Sequence, residues 1–262
     1  MNIPAVRQVV NVLELMEYFA RTSRPASLAS IHKDLGWPRS STYSLLQTLV
    51  GQGYLYEPQV RGEFYPSSKW AEVVQRIEKG APISPALKVL ISNVRDLTEE
   101  TCSLLAVSGD CALFIAIEES PELVRFTAPV GSRIPLHATA SGRALLSQMS
   151  PTERNALYKR VVFQRYTDST LMNADAVEDE VARSLANGYF FTKGEHVRGS
   201  GGIALPLRSE GRTIAVLVAG PTDRIVNARD HILRVLWTQL EKANVDVLVS
   251  RASFKGVAPA CG

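Results

Sequence analysis

A chain of 262 residues exceeds the size of one ordinary domain, and 45% hydrophobic residues are enough for packed cores, so two globular domains are expected rather than disorder. No run of about eighteen apolar residues free of charge is present and residues 1–8 lack the basic-then-apolar order of a signal peptide, which excludes a membrane partner and predicts a cytoplasmic protein. A net charge of +3 permits nucleic-acid binding without demanding it. Cys102, Cys111 and Cys261 have neither disulfide nor metal-ligand spacing, so no metal and no cofactor is expected.

Val6, Val9, Val10, Leu13, Met16 and Phe19 recur at helical spacing and predict a first amphipathic helix with that face buried. Ser27 caps a second helix whose Leu28, Ile31 and Leu35 face inward, and Gly36 ends it. After Trp37 and Pro38 a third helix covers residues 39–50, with Leu45, Leu46 and Leu49 on one face and Ser40, Tyr43, Ser44 and Gln47 on the other. Two short helices around a glycine turn, the second opening with arginine and hydroxyl residues, fit a helix-turn-helix. There Arg39, Ser40, Ser41 and Thr42 donate to phosphates, while Tyr43 and Gln47 are long enough to reach base edges in a major groove. Residues 54–58 and 63–66 then predict a two-stranded hairpin, with Arg61 at its tip. Residues 1–67 therefore read as a winged helix-turn-helix for double-stranded operator DNA. This span holds six Lys or Arg against five Asp or Glu, so one copy binds DNA feebly and a homodimer or larger assembly is expected.

Residues 68–82 carry Trp70, Val73, Val74 and Ile77 at helical spacing and predict a linker helix whose apolar residues must be covered, by the flanking domains or by a second copy. Residues 83–262 open with a helix capped by Ser84. Strand-like runs follow at 101–107, 111–118 and 122–128, and again at 189–192, 202–207 and 213–218, which makes a six-stranded antiparallel sheet. Between the two sets lie a helix after Thr139, a capping box at Ser150 and Glu153, and a helix capped by Asn173. A long closing helix spans about residues 223–249. The second domain is α+β. The stretch 131–146 stands out because Ala138, Thr139, Ala140, Ser141 and Gly142 place small residues at a helix start, where open N–H groups and the helix dipole attract an anion. An ordinary capped helix after a loop accounts for the same residues.

Together these features resemble the IclR family of bacterial transcription regulators over nearly the whole chain, through residues 35–49, 131–146, 201–207 and 214–221. The resemblance implies a winged N-terminal domain joined by a linker helix to a GAF-like sensor domain. It also implies assembly as a homodimer or dimer of dimers, and a ligand pocket formed by Thr139, Ala140, Ser141, Glu195, Gly199, Ile203, Leu217 and Ala219. The sequence departs from family members that sense small polar acids, which place Cys or Ser at Ile203, Leu217 and Ala219. That departure points to an organic acid with a ring or alkyl body, signalling a catabolic operon. Ser44 stands where the family commonly has a basic residue. Two other readings compete: a sensor acting through protein partners without DNA, and an enzyme using His137. Against the enzyme stands the absence of a GxSxG, GxGxxG or metal-binding pattern.

Overall fold

The computed structural model describes residues 5–58, 62–80, 83–209 and 211–250. It divides into two compact units, residues 1–82 and 83–262.

In the first unit, helix α1 (Arg7–Thr22) is followed by strand β1 (Ala26–Ser27), α2 (Leu28–Leu35), α3 (Arg39–Gly51), β2 (Leu55–Tyr56), β3 (Glu63–Pro66) and α4 (Lys69–Gly80). The Ser27 side chain caps α2 by accepting from the Ser30 amide, and Gly36 ends α2 at φ 67°, a conformation glycine adopts without a Cβ penalty. The core joins Leu15, Tyr18 and Phe19 of α1 to Ile31, Trp37, Leu46, Leu49, Leu55 and Phe64. Two expectations need correction. Val6 at the N-cap and Val9 and Leu13 of α1 are exposed, because the core takes the neighbouring stripe through Leu15, Tyr18 and Phe19. The hairpin has a third strand, since β1 pairs with β3 to give the order β1-β3-β2. Helix α4 is anchored to this unit at its base. Trp70 Nε1 donates to the Tyr54 carbonyl at 3.0 Å, and the two rings lie 4.6 Å apart.

The second unit contains α5 (Pro85–Thr98), β4 (Thr101–Ser108), β5 (Cys111–Glu118), β6 (Arg133–Pro135), α6 (Ala140–Leu146), α7 (Pro151–Tyr158), α8 (Ala174–Asn187), β7 (Phe190–Lys193), β8 (Ser200–Ser209), β9 (Arg212–Pro221), α9 (Thr222–Asn227), α10 (Arg229–Ala243) and β10 (Asp246–Val247). Its caps follow the local chemistry: Ser84 caps α5, Ser150 and Glu153 form a reciprocal capping box on α7, and Asn173 caps α8. All strand pairs are antiparallel, in the order β10-β8-β9-β4-β5-β6, with β7 also on β8.

The α+β class and the antiparallel sheet are as expected, and five of the six expected strands form; among the described residues the sheet has seven strands, because 122–128 drops out and β6 and β10 are added. Residues 122–128 are not a strand. Thr101 Oγ1 donates to the Phe126 carbonyl at 2.6 Å, and Ser120 Oγ donates to the Glu99 carbonyl, so side chains tie this loop across the end of β4 in place of a ladder. The pairing with β5 passes to β6. The closing helix is broken at Ala228 into α9 and α10, and Val247 lies in β10 against Leu207.

The pleat sorts the sheet's residues. Ala219 is registered with Gly202 and Leu217 with Ala204, while Val218 is registered with Ile203, so these pairs point to opposite faces. A Cβ placed on Gly201 would touch Ile225 of α9, whereas one on Gly202 would touch Leu217 and Thr192. Helix α9 therefore covers the Ile203 face. The Leu217 and Ala219 face looks toward the start of α6.

Candidate functional site

On that second face lies a cavity of about 420 Å³, including its solvent-open mouth. Thr139, Ala140, Glu195, Leu217 and Ala219 line it together with Phe126, Ile134, Thr192, His196 and Ser200. Three of the expected pocket residues lie elsewhere. Ile203 points to the opposite face of the sheet, one residue out of phase with Gly202. Ser141 is fully buried behind the wall, its Oγ without a partner. Gly199 is exposed on an adjoining shallow surface groove beside Arg198.

The helix start differs from an open anion cradle. Thr139 Oγ1 accepts from the Gly142 amide at 3.1 Å and donates to the Pro135 carbonyl at 2.8 Å, so one donor of the first turn is consumed by the cap. Gly142 serves packing rather than access: a Cβ there would lie 2.4 Å from the Leu136 carbonyl oxygen. The small residues let the loop and the helix touch.

Arg143, to which sequence reasoning assigned no role, is the polar centre of the site. Its side chain is wholly buried. One guanidinium nitrogen donates to Glu195 Oε2 at 2.5 Å, and the other donates to the Phe191 carbonyl at 2.9 Å and to Glu195 Oε1 at 3.4 Å. Glu195 is held from its backbone as well, since its carbonyl accepts from Thr170 Oγ1 at 2.7 Å and Thr167 Oγ1 at 3.2 Å. A signal for Arg143 was present in the sequence: a lone charge four residues after the cap, on the stripe that Ala140, Ala144 and Leu146 mark as buried. His137 is buried outside the cavity. Its Nε2 donates to the Gln164 carbonyl at 3.2 Å, and burial pushes its pKa down, as it does for His196.

In the first unit α3 exposes Arg39, Ser40, Ser41, Tyr43, Ser44 and Gln47. Thr42 is not among them. It is buried, and its hydroxyl donates to the Pro38 carbonyl at 2.9 Å, as does that of Ser41. The Ser44 hydroxyl is turned back onto the Ser40 carbonyl. Trp37 Nε1 donates to Glu14 and Tyr18 to Asp34, which ties the turn and α2 to α1 and leaves the polar side of α3 outward. Arg61 lies outside the described residues.

A winged helix-turn-helix unit with an outward polar helix, followed by a sheet domain with a lined cavity, defines a ligand-binding transcription regulator. Residues 8–58 match the IclR helix-turn-helix domain, and residues 75–245 match the C-terminal domain of bacterial transcriptional regulator IclR. The chain belongs to the IclR family. It is similar to the acetate operon repressor of Salmonella typhimurium, at 26% identity over 86% of this chain and 83% of that protein. The fold is similar to the IclR protein of Thermotoga maritima, with a TM-score of 0.73 and 17% identity over 91% of this chain and 98% of that one. It is also similar to an IclR homolog of Microbacterium hydrocarbonoxydans solved with 4-hydroxybenzoate, with a TM-score of 0.64 and 24% identity over 90% and 98%. Among the described residues no helix is long and apolar enough to cross a membrane.

Proposed function

We propose that this regulator binds operator DNA as a homodimer or dimer of dimers and responds to a small organic acid with an apolar body, held in the cavity of the second unit. The cavity carries this reading. Leu217, Ala219, Phe126 and Ile134 give it apolar lining, and Thr139, Thr192, Glu195, His196 and Ser200 give it polar groups, a combination suited to a ring or short alkyl body with polar ends. The homolog bound to 4-hydroxybenzoate supports an aromatic acid as the first class to try. The gene it controls is proposed to belong to the breakdown of that acid. Ligand binding acts on DNA only if one arrangement of the assembly binds the acid better than the other.

The test is a thermal-shift screen of aromatic and short-chain carboxylates against the full chain, with Ala219→Phe as the control. A ligand at a hundred times its Kd stabilises by about 2.7 kcal/mol, a measurable rise in melting temperature. The rise is expected in the parent protein and absent in Ala219→Phe, whose ring takes up cavity space. A rise of equal size in both would move the ligand to another site.

A further inference from the structure

The charge lining the cavity has the wrong sign for an acid. Glu195 is the one Asp, Glu, Lys or Arg side chain among the described lining residues, and its positive partner Arg143 is wholly buried behind it. The guanidinium engages one lone pair on each carboxylate oxygen. An ionised carboxylate has about four acceptor positions and no donor, so the ones Arg143 leaves over can only accept. Another carboxylate placed there would meet like charge without a proton to share. A hydroxyl or ammonium placed there would gain a charge-assisted hydrogen bond.

We infer that Glu195 selects effectors that present a hydrogen-bond donor, hydroxyl or amino, at the end of the molecule opposite its acidic group, and that Arg143 is the positioning residue that keeps this acceptor aimed into the cavity. The inference rests on the proposed reading of the cavity as the effector site. It assigns the two ends of the ligand: the donor meets Glu195, and the acid lies away from it. Glu195 has little freedom to retreat. Its carbonyl is pinned by Thr167 and Thr170 and its carboxylate by Arg143, so a ligand lacking the donor leaves a desolvated carboxylate underused. Unfilled acceptors of this kind discriminate more sharply than a lost apolar contact.

The experiment titrates the full chain with benzoate, phenol and 4-hydroxybenzoate, and with butyrate and 4-hydroxybutyrate, following melting temperature. The hydroxylated acid of at least one pair is expected to bind about tenfold or more tightly than its parent acid, the range of one hydrogen bond to a charged group. Glu195→Gln, which replaces one of the two acceptor oxygens with an N–H donor, is expected to reduce that preference. Because a lone Arg143 is costly to bury, the double variant R143M/E195M serves as the second arm, and its affinity ratio for the pair is expected to fall to about one. Binding of 4-hydroxybenzoate and phenol without benzoate would support the donor rule and overturn the acid requirement. Equal binding of an acid and its hydroxylated partner, or an unchanged ratio in both variants, would overturn the donor rule while leaving the acid reading intact. If no member of either series binds, both are overturned.

Discussion

Gly142 and Arg143 are neighbours whose roles rest on different physics. Gly142 lies where the backbone of Leu136 leaves no room, and a Cβ would sit 2.5 Å from the Leu136 Cα as well as against its carbonyl. Since the intruding atom meets backbone rather than a flexible side chain, Gly142→Ala is expected to destabilise the second unit by about 2 kcal/mol or more, read as a lower urea midpoint. A midpoint within experimental error of the parent would show that α6 shifts freely. Arg143 became legible only when its partner was placed, because Glu195 is fifty-two residues away in sequence and no spacing rule pairs them. Ile203 illustrates the converse. Adjacent in sequence to a cavity residue, it is excluded by the period of two that points Gly202 inward.

At the scale of the element, α3 carries residues that look alike in sequence and separate in structure. Arg39 projects outward, whereas Thr42 is buried on the Pro38 carbonyl. Arg39→Ala is expected to weaken binding to the protein's own upstream DNA, with the slope of log K against log salt reduced by about one, and to leave the response to effector unchanged. Thr42→Val is expected to do the reverse, lowering stability by about 1 kcal/mol with the salt slope unaltered. A gel-shift titration across salt concentrations separates the two, and an altered slope in Thr42→Val would return that residue to the DNA face. The caps of α2, α5, α7 and α8 were readable because a cap is decided within four residues. Residues 122–128 were not, since Thr101, distant in sequence, takes the Phe126 carbonyl out of the ladder.

At the scale of the whole molecule, the proposed self-association would give exposed apolar residues a cover. Val6 at the N-cap of α1 and Val9 and Leu13 within it form a stripe, each more than half exposed, and Val74 and Ile77 are exposed on α4. The first unit is also poor in cations, so two linked copies would supply the affinity that one lacks. The double variant V9E/L13E is therefore expected to sediment as a smaller species than the parent, with its melting temperature little changed and DNA affinity at least about tenfold lower. An unchanged sedimentation coefficient would assign the stripe to another partner. By itself the sequence determined what short-range chemistry decides: the helix periods, the caps, the glycine turns and the α+β class. It also marked the stretch around Thr139 as the place to look. Only the tertiary structure decided which stripe of α1 is buried, that seven strands form the sheet, which face each strand residue takes, and that Arg143 meets Glu195. Those outcomes depend on partners brought together from distant parts of the chain, and hydrophobic periodicity carries no information about which partner a buried charge will find.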